Sequence, residues 1–300
     1  MGEHSKIEWT NDTWNPWQGC HHVSPGCEHC YMFREKRMYG QNPDVVVRSK
    51  PPTFNLPYKL KGPLVFTCSW SDFFIKEADP WRDEAWEIIR QTPHLTYQIL
   101  TKRIERAQAR LPWGDGTSWP NVQGIVSVED QPTADRRIPI LLQTNFAVRG
   151  ISAEPLLGPI DLRQIVYQGL VALDTLSRPI LVGCPTPHEP DEKHRNGLDW
   201  VILGGESGPH ARPMHPDWAR SLRDQCHAAG VPFFFKQWGE WLPKDQEDNC
   251  DVVVLSDAGP RMHNWTPKPF PQYDALKVGK KAAGRILDGR TWDEFPKVPA

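Results

Sequence analysis

PLVFTCSWSD, residues 63–72, is a short apolar, β-prone run that turns polar at its end, and the pattern returns along the chain. LTYQILTKR (95–103), VQGIVSVED (122–130), AVRGISAEP (147–155), DWVILGGES (199–207) and VPFFFKQWG (231–239) repeat it. Each reads as a buried strand entering a turn. PWRDEAWEIIRQ (80–91), RIERAQARL (103–111) and PDWARSLRDQCHAAG (216–230) carry helical spacing, the last with Trp218, Leu222 and Cys226 four apart. Pro216 in the first turn and Gly230 past the end are helix start and stop signals. Strands begin about 25–35 residues apart, the length of one βα unit. This predicts an α/β fold, a partial (β/α) barrel of parallel strands with helical crossovers. One longer gap holds CPTPHEPDEKHRNG (184–197), which reads as an exposed insertion. After Trp238 the rhythm stops, and residues 239–300 read as a C-terminal extension that wraps the barrel, with a short helix in VGKKAAGR (278–285). No linker separates a second domain, so residues 1–300 are predicted to be one domain.

Composition sets broad bounds. With 39% hydrophobic and 24% charged residues the chain has an ordinary globular balance, and a net charge of −2 gives no global field for nucleic acid or acidic membranes. MGEHSKIEWTND at the N-terminus lacks an apolar signal region, and no run approaches the roughly 18 apolar residues of a membrane span. The expectation is a cytoplasmic protein whose 7 cysteines are thiols or metal ligands rather than disulfides. The 14 tryptophans and 30 prolines predict long connections pinned by aromatic anchors.

In α/β barrels the loops that follow the strands gather the active site. Here those positions are polar: Ser69, Ser71 and Asp72; Lys102; Ser127 and Glu129; Glu154; Glu206 and Ser207; Lys236 and Gln237. GGESGP (204–209) adds two glycines at a strand end, which permit close backbone approach to a ligand or simply make a turn.

GCHHVSPGCEHCYM (19–32) places Cys20, Cys27 and Cys30 in one loop. Three thiolates suit a four-iron cluster whose fourth iron stays open, and Gly19, Pro25 and Gly26 let the backbone curl around it. The alternative is a structural or nucleic-acid-interaction protein with a zinc ion closed by His21, His22 or His29 as a fourth ligand. Of the other cysteines, Cys226 belongs to a core stripe, Cys184 and Cys250 fall in loops, and Cys68 adjoins a strand end. Lys280, Lys281 and Arg285 read as a solvated helix face.

A loop of three cysteines at the N-terminal side of a βα barrel resembles the radical S-adenosylmethionine (SAM) superfamily. More closely, through TWNPWQGC (13–20), SWSDFF (69–74), ILTKR (99–103), AEPLLGPIDL (153–162) and WVILGGESGPHARPMHPDW (200–218), the chain resembles a family of phage and prophage proteins of unassigned function whose variant motif is C-x6-C-x2-C in place of the superfamily's C-x3-C-x2-C. The resemblance implies a radical SAM enzyme on a TIM-barrel-like scaffold, using a [4Fe–4S] cluster and SAM. It implies an electron donor of flavodoxin or ferredoxin type, and leaves the reaction and the catalytic residues unassigned. A nucleic acid or nucleotide is the leading substrate class, and a partner protein completing the site stays open. By the same resemblance Ser69, Ser71 and Asp72 are candidates for the SAM amino group, and Lys102 for its carboxylate. Ser127 and Glu129 are candidates for the ribose, Glu154 and Glu206 for ribose or substrate, and His29 for the adenine.

Overall fold

The computed structural model describes residues 5–113, 118–167, 171–176, 197–249, 262–265 and 273–297. Cys184, Cys250 and the insertion expected at 184–197, apart from Gly197, lie outside them. The chain divides into two compact units, one of residues 1–127, 137–151 and 297–300, the other of 128–136 and 152–296.

Seven strands share one sheet: β1 (Asp12–Trp14), β4 (Leu64–Thr67), β5 (Thr96–Thr101), β6 (Val122–Ser127), β7 (Val148–Ala153), β10 (Trp200–Gly204) and β11 (Phe233–Gln237), in that spatial order. The pairings β1 with β4, β4 with β5, β5 with β6 and β10 with β11 are parallel. Spatial order follows chain order without reversal, so the sheet is singly wound and lacks the switch point of doubly wound folds. This mixed α/β topology is compatible with a partial β/α barrel. The smaller strands are β2 (Trp17–Gln18) with β3 (Val47–Arg48), β8 (Ile165–Tyr167) with β9 (Val171–Leu173), and β12 (Trp241–Pro243), β14 (Tyr273–Lys277) and β13 (Met262–Trp265) in a separate sheet. Among the described residues no helix is long and apolar enough to cross a membrane.

In the first unit the helices are α1 (Tyr31–Met38), α2 (Pro51–Phe54) and α3 (Asp79–Gln91). α3 buries Ala85, Trp86, Ile88 and Ile89, the apolar stripe its sequence spacing predicts. Tryptophans anchor the connections as expected: buried rings supply apolar area while each indole N–H reaches a loop carbonyl. Trp14 Nε1 donates to Phe54 O, Trp17 Nε1 to Asp72 O, Trp86 Nε1 to Arg110 O and Trp113 Nε1 to Asn145 O. The helical spacing of 103–111 gives two 3-10 turns instead, Ile104–Arg106 and Gln108–Arg110. Arg106 and Arg110 both turn to Asp79, at 2.9 and 2.8 Å, and Pro112 stops any continuation. α4 (Gln131–Leu142) is a helix that periodicity did not reveal, because Pro139 sits inside it.

In the second unit α5 (Pro216–Ala229) starts and stops where expected. His215 caps it by accepting from Asp217 N, and Gly230 closes it at φ 66°. Trp218, Leu222 and Cys226 are its buried face. The extension follows the edge of β11: Phe235 N donates to Trp292 O, Glu294 N to Phe233 O, and Phe233 N to Glu294 Oε2. An otherwise bare sheet edge is thereby covered. The short helix expected in 278–285 is α6 (Lys280–Ala283), with Lys280 and Lys281 exposed and Arg285 paired with Asp293.

Candidate functional site

The cysteine loop is shaped by its own backbone. Gly19 has φ +99°, and a Cβ there would stand 2.3 Å from Val45 O, so only glycine fits. Gly19 N donates to Trp70 O, Ser71 Oγ donates to Gly19 O at 2.5 Å, and Cys20 N donates to Pro43 O at 3.0 Å. The loop then tightens into the 3-10 turn Pro25–Cys27 and ends at Cys30, the residue that caps α1.

Cys20, Cys27 and Cys30 are free thiols, and Cys20 Sγ donates to His21 O at 3.6 Å. Arg103 Nη1 donates to Cys20 Sγ at 3.5 Å. Ser24 Oγ lies 3.8 Å from Cys27 Sγ, where either partner can donate. The N–H groups of Met32 and Phe33, in the first turn of α1, act on the Cys30 sulfur without closing a full capping bond. Burial pushes the Cys20 thiol up to about 12 against the opposing pull of Arg103. Burial raises Cys30 as well, opposed by the α1 amides and by the charge of Lys102. Cys27 adds to the field at both other sulfurs. At Cys20 and Cys30 burial outweighs the donors, so the net direction favours the protonated thiol. Among the described residues no three His, Cys, Asp or Glu side chains come close enough together to hold a single metal ion. His21 is engaged elsewhere, with Nε2 3.0 Å from Glu77 Oε1, and His22 packs its ring on Phe33 at 4.1 Å. His29 is half-buried beside Cys30 in sequence.

Asp72 organises the floor of this loop. Its Oδ1 accepts from Thr101 Oγ1 at 2.8 Å and Phe74 N at 2.9 Å; its Oδ2 accepts from Lys102 N at 2.8 Å and pairs with Arg103 Nη1 at 3.1 Å. Arg103 Nη2 also donates to His21 O at 3.0 Å. A buried guanidinium thus joins the ends of β4 and β5 to the first cysteine. The sequence reading passed over Arg103 in favour of its neighbour Lys102. Strand alternation was the available signal, because adjacent residues at a strand end point to opposite faces. Ser69 Oγ exchanges hydrogen bonds with Asn15, and Tyr31 OH donates to Ser69 O at 2.5 Å, so this strand end too is tied to the region around the loop. Cys68, buried at φ +65°, turns the chain into it. Ser127 is buried, and its carbonyl accepts from Arg137 Nη1 at 2.7 Å.

In the second unit Glu129 is fully buried, with its N–H donating to Thr133 Oγ1 at 2.8 Å. Glu154 accepts from Lys236 Nζ at 2.8 and 3.0 Å and from Gln237 Nε2 at 3.1 Å. Glu206 receives Arg212 through N, Nε and Nη2 at 2.7, 2.8 and 2.6 Å. The glycines of GGESGP serve the chain itself. A Cβ on Gly205 would stand 1.9 Å from Trp238 O, and one on Gly239 2.1 Å from Glu206 O, so the close approach is between two backbone segments.

Residues 4–296 match the sequence model of a family described as protein of unknown function (DUF5131), and the chain belongs to that family. No curated protein and no solved structure matches it.

Proposed function

For this member of the DUF5131 family we propose that Cys20, Cys27 and Cys30 hold a [4Fe–4S] cluster, and that the protein is a radical SAM-type enzyme. One observation carries the reading: three free thiols in one loop, with Arg103 Nη1 3.5 Å from Cys20 Sγ and Ser24 Oγ 3.8 Å from Cys27 Sγ.

When bound, a cluster of this kind supplies the electron that cleaves the sulfonium of SAM and so starts hydrogen abstraction from a substrate. The chain's own part is positioning. Arg103 fixes Cys20 and offers a hydrogen bond to its sulfur; Asp72 fixes Arg103; Ser71 and Gly19 fix the loop backbone. Lys102, whose charge is felt at Cys30, is the residue assigned to an anionic group of SAM such as its carboxylate. Asp72, with four donors on two oxygens, is assigned to holding the loop rather than to SAM. The proposal retains an electron donor of flavodoxin or ferredoxin type, with a nucleic acid or nucleotide as substrate.

Anaerobic reconstitution with iron and sulfide tests it. The expected result is a brown protein with about four irons per chain that forms 5′-deoxyadenosine from SAM under reducing conditions. A colourless protein with one tightly held zinc overturns the reading in favour of a zinc protein.

A further inference from the structure

In the same unit as the cysteine loop, an open cavity of about 570 Å³ is lined by β2, β3, α1, the chain that follows α1 and the start of α2. Its cationic lining is Lys36, Arg48 and Lys50, its amide lining Gln18, Gln41 and Asn42, and no acidic residue lines it. Lys36 is only 3% exposed, yet among the described residues no carboxylate pairs with it; its ammonium reaches Gln41 Oε1 at 3.4 Å. Arg48 stacks on Phe54 at 3.8 Å and pairs through Nη2 with Glu84, whereas its Nε is buried without a hydrogen-bond partner. An ammonium held out of water without a counter-ion is costly, and a buried N–H without an acceptor adds to that cost. The first of these costs falls when an anion enters beside Lys36, while Arg48 Nε stays covered and Arg48 contributes its charge.

We propose that this cavity binds a phosphate ester of nucleotide size. Three cations and three amides match the oxygens of a phosphate better than the two of a carboxylate. The volume is that of a small-molecule site rather than of a lone ion. Val45 and Val47, both half exposed on the wall, give the organic part an apolar surface. None of Cys20, Cys27 and Cys30 lines the cavity, so the proposal stands whether or not the loop takes a cluster. Its phosphate belongs either to a free nucleotide or to a nucleic-acid backbone.

Calorimetric titration of the full chain at low salt distinguishes these, with inorganic pyrophosphate, adenosine monophosphate and a short single-stranded oligonucleotide as probes. Wild type is expected to bind at least one of them. Lys36→Met, which keeps the packing of the stem, is expected to weaken binding at least about tenfold, the worth of one hydrogen-bonded charge. Lys50→Glu lies on the exposed rim, so it leaves the core intact even if Lys36→Met fails to fold; it is expected to weaken binding about fivefold or more. Binding of adenosine monophosphate and pyrophosphate assigns the cavity to a free phosphate ester, and binding of the oligonucleotide alone assigns it to a backbone phosphate. The proposal is overturned if wild type binds none of the probes, or if a folded variant binds them as wild type does.

Discussion

Two sets of polar residues look alike in the sequence and behave differently in the structure. In the first unit the cysteine loop holds three thiols, two of them with a donor near the sulfur, and no bond made between them. In the second unit the strand-end carboxylates Glu154 and Glu206 are closed into ion pairs with Lys236 and Arg212. Both sets follow strands, and both combine residue types that serve as ligands. The difference lies in the partners: a carboxylate already matched by its own cation has little left to offer a ligand, whereas the sulfurs of Cys20 and Cys27 have long contacts of 3.5–3.8 Å. Polar strand ends are therefore evidence of a site only after their partners are known.

The largest expected effect separates the two sets directly. Changing Cys20, Cys27 or Cys30 singly to Ala should remove essentially all stable iron after reconstitution, at least about tenfold in metal analysis, since oxygen ligands replace thiolate poorly on an iron–sulfur cluster. Glu206→Gln should leave iron content unchanged. A cysteine variant that retains its iron would erase the distinction. Stability should show the reverse order. Glu206→Gln leaves Arg212 without its charge partner and should cost about 3 kcal/mol in denaturant unfolding. The metal-free Cys20→Ala protein should lose about 1 kcal/mol or less, because a single thiol with one weak donor is removed. Equal losses would mean that the thiols are as structural as the carboxylates.

A finer test keeps the ligands and removes one donor. Arg103→Met should retain iron yet lower the reduction potential by on the order of 50 mV, since a hydrogen bond to sulfur favours the reduced state. An unchanged potential would reduce Arg103 to a packing role. The smallest effect probes a closed pair far along the chain from the cysteine loop. Burial pushes the Asp288 carboxyl up, but hydrogen bonds from Arg220, Arg223 and Gln246 hold it down at about 2. Its folded value lies below the roughly 3.9 of an unfolded aspartate, so the stabilisation is complete above that value and is lost as pH falls through about 2. Asp288→Asn should cost about 1 kcal/mol at neutral pH, allowing for solvent screening, with the difference shrinking as pH falls toward 2 and vanishing only below it. A pH-independent difference would assign the effect to shape instead of charge.

The seven-stranded sheet was legible as far as each strand formed an apolar run. Six strands stood out this way, but β1 did not, since Asp-Thr-Trp is too short to show a period and its place is fixed by pairing with β4. α4 was hidden by Pro139, although Asp130 and Thr133 cap its start through hydrogen bonds in both directions. In the candidate site the cysteines were legible because their spacing lies within one loop. Arg103 was not, because its meaning depends on Cys20, 83 positions earlier in the chain. The pairing of Glu206 with Arg212 was within reach, six residues apart, but nothing in the alternation of a strand end shows that the chain doubles back there.

The backbone of Gly19, at φ +99°, and the hydrogen bonds of Arg103 to Cys20 and His21 are contacts of the chain with itself. Under the proposed cluster assignment, the loop would be shaped by the polypeptide, in contrast to folds in which protein and ion take shape together. Stripping a reconstituted cluster with a chelator should then leave the far-ultraviolet circular dichroism unchanged, and a second reconstitution should restore the iron.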